Sequence, residues 1–158
     1  MSGSKGGCGP PPDELGWTPV DATPHLTVGA ALGMRVRSPL GAFALGVVSH
    51  AVLDLVPHFN YTGWRPLSPA LVVDVVVAAC TALLIARIAP RPWGAVAGTA
   101  GAALPEVERV VSGQAKDFLQ RPPFGLHQNE IPPPWGLLTQ AAVIVLSIVL
   151  VWRWRRRG

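Results

Sequence analysis

The sequence predicts an all-α fold, a polytopic membrane bundle of about five helices whose first helix is short and tilted or re-entrant. Three observations lead there. Only 14% of the 158 residues are charged and 49% are apolar, with a mean hydropathy of +0.36, whereas an average soluble domain carries about 25% charge. Two runs, LVVDVVVAACTALLIARIA and LLTQAAVIVLSIVLVW, are long enough to cross a ~30 Å hydrocarbon layer. Five apolar runs each open at a proline, which suits a first helical turn because its missing N–H would be an orphan there. The 17 Gly and 17 Pro are scattered rather than periodic, which removes collagen-like and wholly disordered readings. Cys8 and Cys80 make neither a disulfide framework nor a zinc knuckle.

Residues 1–22 (MSGSKGGCGPPPDELGWTPV and on) read as a disordered Gly/Pro-rich tail. They hold no apolar stretch for a cleavable signal or a lipoprotein signal before Cys8, and Ser2 stands where myristoylation needs glycine. The bundle then occupies 23–154. Thr23-Pro24, Ser38-Pro39, Ser68-Pro69, Arg91-Pro92 and Pro134 open helices expected over 24–36, 39–56, 69–89, 92–112 and 135–154, with Thr or Ser as cap where present. Residues 155–158 form a basic cytoplasmic tail. With all five helices spanning and that tail inside, eight of the thirteen basic residues fall on the cytoplasmic side. The expected setting is the inner (plasma) membrane of a bacterium, N-terminus out and C-terminus in, with Trp93, Trp135, Trp152 and Trp154 at the interfaces. A basic cluster directly after a span anchors topology on anionic lipids, so membrane lipids, and not nucleic acid, are the expected partners.

Small residues recur four apart at Gly29 and Gly33, at Ala42 and Gly46, and at Gly94, Gly98 and Ala102. Such faces let membrane helices approach closely, so the first, second and fourth helices are expected to form a tight core.

The ionisable residues carry whatever chemistry there is. SHAVLDLVPH places His50, Asp54 and His58 four apart on one slanting face, unless Pro57 ends the helix and swings His58 back. His and Asp at i and i+4 project together and can chelate one divalent ion, and such residues inside a membrane are costly enough to mark a functional site. A satisfied polar network is the alternative. In the five-helix topology His25, His127, Asp74 and Glu106 fall on the same outer side. Each has an ordinary reading too: His25 as an interfacial helix start, Asp74 as a partner of its own helix dipole, Glu106 as a partner of Arg109, His127 as plain loop surface.

TPHLTVGAALG, SHAVLDLVPH and ALPEVE together resemble the small bacterial integral-membrane proteins described as membrane-bound metal-dependent hydrolases. Thr23, His25 and Gly29 match that family's Thr-x-His-xxx-Gly opening. Ser49, His50, Leu53 and Asp54 match its Ser-His-xx-Leu-Asp segment, and Leu104, Pro105 and Glu106 its Leu-Pro-Asp segment. Glu106 stands where that family has Asp, and the Leu-Pro-acid segment here follows the Ser-His segment where the family's precedes it. The resemblance implies a divalent metal, zinc first among candidates, on His25, His50 and Asp54, with His58 or His127 as further ligands. It implies Glu106 as general base or extra ligand, and a lipid or lipid-linked ester as substrate at the outer headgroup level. The competing expectation is a non-enzymatic small membrane subunit or scaffold that packs against a partner complex or holds its cofactor. No phosphate-binding loop, dinucleotide fingerprint or Gly-x-Ser-x-Gly elbow is present. A metal enzyme needs the named ligands to converge; a scaffold leaves them dispersed.

Overall fold

A computed structural model describes residues 22–59, 69–112 and 131–156. Within them the chain is all-helical: α1 (Ala22–Gly33), α2 (Pro39–Leu53), α3 (Pro69–Ile88), α4 (Pro92–Ser112) and α5 (Trp135–Arg155). The expected tail, save Ala22, and the basic residues 157–158 lie outside the described residues, as does His127.

Local sequence explains where α2 begins. Ser38 sits in extended backbone, its hydroxyl oxygen accepts from the Gly41 N–H at 3.3 Å, and Pro39 follows at the first helical position. The other end corrects the sequence-based boundary. α2 stops at Leu53, with Asp54 as C-cap, not at 56. Pro57 disfavours helical backbone at Val56, so the chain turns, and His58 is not on the continuous face that a longer helix would give. α1 differs as well: it starts at Ala22, so Thr23 lies inside its first turn rather than capping it.

The small-residue faces close as their spacing predicts. A methyl group on Gly98 would strike the backbone oxygen of Gly29, and one on Gly46 the backbone oxygen of Gly98. These contacts bring α1, α2 and α4 together almost backbone to backbone. α1 packs against all four other helices, and Thr23, His25, Thr27, Gly29 and Ala30 are among its buried residues. At 12 residues it is about 18 Å long, a buried central strut. Helix directions alternate, so the starts of α1, α3 and α5 share one end with the finishes of α2 and α4.

That alternation sorts charge. Arg35, Arg37, Arg87, Arg91, Arg153, Arg155 and Arg156 gather at one end, where Arg91 donates to the Arg35 carbonyl and Arg35 lies over the Trp154 ring. The acids among the described residues, Asp54, Asp74, Glu106 and Glu108, belong to the other end, with His25, His50 and His58. Apolarity is inverted relative to a water-soluble globule. Val73, Leu83, Leu84, Leu138, Val145 and Leu146 are exposed, while His25, His50 and Asp54 are buried. α3 and α5, with mean hydropathy 2.4 and 2.1 over their most apolar windows, are long and apolar enough to cross a membrane.

Candidate metal centre

Four elements deliver the site. α1 brings His25 from its first turn, and α2 brings His50 in its last turn and Asp54 at its cap. α4 brings Glu106 just beyond Pro105. The segment after α2 brings His58 back alongside His25, the two rings edge-on with centroids 6.1 Å apart. The His25 and His50 rings lie 4.2 Å apart, tilted by 35°. His25, His50 and Asp54 are each no more than 2% exposed, and Glu106 is 22% exposed.

The distances between donor atoms are informative. His25 Nε2 lies 3.6 Å from Asp54 Oδ1, His50 Nε2 lies 3.6 Å from Asp54 Oδ2, and His50 Nε2 lies 3.5 Å from Glu106 Oε1. These exceed the 2.7–3.2 Å range of ordinary N–H···O bonds. They match the separation of two donors sharing an ion: bonds of ~2.1 Å at tetrahedral angles put the donors about 3.4 Å apart. His25, His50 and Asp54 offer ligand atoms that all lie within 4.8 Å of one another.

Hydrogen bonding prepares the imidazoles. His50 Nδ1 is 2.7 Å from the Ala102 carbonyl, which can only accept, so Nδ1 carries the proton and Nε2 faces the two carboxylates. The Val56 carbonyl does the same for His58 Nδ1 at 2.6 Å. An imidazole whose far nitrogen donates to a carbonyl is the usual support of a metal-ligating histidine. Two carboxylates beside one imidazole nitrogen suit a shared cation, since buried charges are paired or coordinate metals. The donors, imidazole nitrogen and carboxylate oxygen without thiolate, suit zinc, manganese or iron. On these grounds the residues fit a divalent ion.

Asp74 stands one layer back. Its carboxylate accepts from the Ala22 N–H at 2.6 Å and the Thr23 hydroxyl at 2.5 Å, and its carbonyl accepts from that same hydroxyl at 3.0 Å. A side chain of α3 thus caps α1, two residues before His25. On the other flank Thr139 donates to the Pro57 carbonyl at 2.7 Å, and Gln140 donates to the Phe59 carbonyl at 2.6 Å. The Ile131 N–H donates to the His58 carbonyl at 3.0 Å. These contacts, from α5 and from Ile131 before it, hold the turn that returns His58. Sequence reasoning overlooked Thr139 and Gln140, although a Thr-Gln pair in a run of Leu, Ala, Val and Ile is itself a signal that a polar partner exists.

Of the residues singled out from sequence, His25, His50, Asp54 and Glu106 come together, His58 lies beside them, and His127 is outside the described residues. A helical bundle with a buried His/His/Asp cluster is thus the class defined by fold and site. The chain matches no protein-family model, no curated protein and no solved structure at a significant level.

Proposed function

We propose that this chain is an integral membrane metal-dependent hydrolase acting on a lipid or lipid-linked ester, akin to the membrane-bound metal-dependent hydrolases its motifs resemble. The observation that carries the reading is the convergence of His25, His50 and Asp54, from two helices and a cap, at donor spacings that suit one ion. His25, His50 and Asp54 would hold a divalent ion, which would supply Lewis-acid activation of a water and of a phosphoryl or acyl oxygen. Glu106, the most exposed member of the cluster, would hold a proton at Oε1 or complete the donor set. The Ala102 carbonyl keeps His50 in the tautomer that presents Nε2.

Two further features support a membrane setting. The exposed apolar faces of α3 and α5 suit lipid, and seven arginines at the end opposite the site favour that end as cytoplasmic, with the site toward the outer leaflet. Beside the site a crevice between α1, α5 and the turn after α2 is lined by His25, His58 and Gln140 together with Leu53, Val56 and Val143. Its accessible lining is almost wholly apolar.

The test is a screen of membrane lipid extracts with detergent-purified protein loaded with Zn²⁺ or Mn²⁺. Turnover that a chelator abolishes and that Glu106→Gln lowers by about 10²-fold or more is the expected result. No metal-dependent turnover of any lipid fraction by metal-loaded protein favours the scaffold instead.

A further inference from the structure

The arginines gathered at the end of the bundle away from the His/Asp cluster are all exposed except Arg91, which is half-buried. Packing draws three separate segments together there. Arg91, in the link between α3 and α4, donates through Nη1 to the carbonyl of Arg35, in the link between α1 and α2, at 3.1 Å. The Arg35 guanidinium carbon in turn lies 5.6 Å from the ring centroid of Trp154, in the last turn of α5. Among the described residues no carboxylate belongs to this end, so within that set these cations face no counter-charge. Exposed apolar side chains share the same end: Leu40 and Trp93 at the starts of α2 and α4, and Trp152 near the end of α5, under the Arg156 guanidinium.

We propose that this end binds an anionic phospholipid, its phosphate held by Arg35 and Arg91 and its apolar part lying beside Trp93. The proposal rests on the membrane setting above and not on the metal centre. A guanidinium gives a phosphate two parallel N–H donors from one planar group. The bond to the Arg35 carbonyl uses one of the five N–H groups of Arg91 and fixes where the others stand. Lying over Trp154 limits the freedom that Arg35 gives up on binding. Guanidinium beside exposed indole suits an amphiphile at headgroup depth better than a free phosphate, which has no apolar part. The arginines at the end of α5 alone give a diffuse attraction to anionic lipid. Arg35 and Arg91, tied by one hydrogen bond, give it a place.

The test is native mass spectrometry of the full chain released from a neutral detergent. The chain is titrated with phosphatidylglycerol, with phosphatidylcholine of the same acyl chains, or with inorganic phosphate. Retention of phosphatidylglycerol at a concentration about 10-fold or more below that needed for phosphatidylcholine is the expected result. Arg35→Gln or Arg91→Gln is expected to weaken that retention by about 5-fold, whereas Arg109→Gln, which removes the same charge from the other end of α4, leaves it unchanged. Equal retention of the two lipids overturns the proposal. So does an equal loss in all three variants, since the preference is then one of net charge. Displacement of the lipid by inorganic phosphate overturns the lipid assignment and leaves a simple anion site. A chain that stays folded and monodisperse once detergent is removed contradicts the membrane setting itself, a failure distinct from the others.

Discussion

At the residue scale the buried cluster depends on groups outside it. Asp74 takes the Ala22 N–H and the Thr23 hydroxyl, doing from α3 what an N-cap side chain does from its own helix. A carboxylate there also faces the positive end of the α1 dipole. Replacing Asp74 with Ala removes both acceptors, with an expected loss of about 1–2 kcal/mol in stability. Because His25 follows two residues later, metal affinity is expected to fall by about 10-fold or more. Thermal unfolding in detergent and competition titration with a chromogenic chelator check the two effects; unchanged affinity contradicts the positioning role. How far the sequence revealed this varies from residue to residue. His50 and Asp54 are legible because i and i+4 on a helix must point the same way. His25 is legible as a polar residue in an apolar run and through the Thr-x-His-xxx-Gly resemblance, while its approach to His50 depends on how α1 packs. Asp74 reads naturally as serving its own helix, and nothing local reveals that it serves another.

At the element scale the glycines decide whether the ligands meet. α1 carries His25, α2 carries His50, and both lean on α4 through Gly29, Gly46 and Gly98. A Cβ on Gly98 meets backbone, which cannot swing aside as a side chain would. Gly98→Val is therefore expected to force the helices apart, costing about 1–3 kcal/mol and weakening metal binding although position 98 is no ligand. Gly41→Ala is the control. Its Cβ would meet the Val36 Cγ1 at 3.3 Å, a side chain that can adjust, and removing a helical glycine is favourable by about 0.5–1 kcal/mol. Apparent unfolding temperatures of the two variants should move in opposite directions. The small-xxx-small spacing made this core legible in advance, and the prolines gave the starts of α2, α3 and α4. The end of α2 was not legible to the residue: continued apolarity through Leu55 and Val56 argues for helix, and Pro57 outweighs it.

At the scale of the whole molecule two asymmetries go together. Among the described residues seven arginines collect at one end, the histidines and acids lie at the other together with Arg109 of α4, and the side surface is apolar. Alternating helix directions produce this arrangement from a sequence in which the charges look scattered. The proposed membrane setting and the positive-inside principle together predict a cytoplasmic arginine end. A C-terminal green fluorescent protein fusion is then expected to fluoresce and a C-terminal alkaline phosphatase fusion to be inactive; the reverse pattern turns the site toward the cytoplasm. That all four histidines fall on one side followed from counting five spans, and the structure shows His25, His50 and His58 at one end. Their mutual distances did not follow, because they depend on the packing of a helix too short to be recognised as a span. The most direct measurement is elemental analysis of protein purified from membranes without added metal, wild type beside the His50→Ala, Asp54→Ala double variant. At least about one equivalent of zinc, manganese or iron in the wild type, lost in a variant that still elutes as folded protein, is the predicted result. Absence of metal from both, with folding intact, contradicts the metal centre and with it the hydrolase.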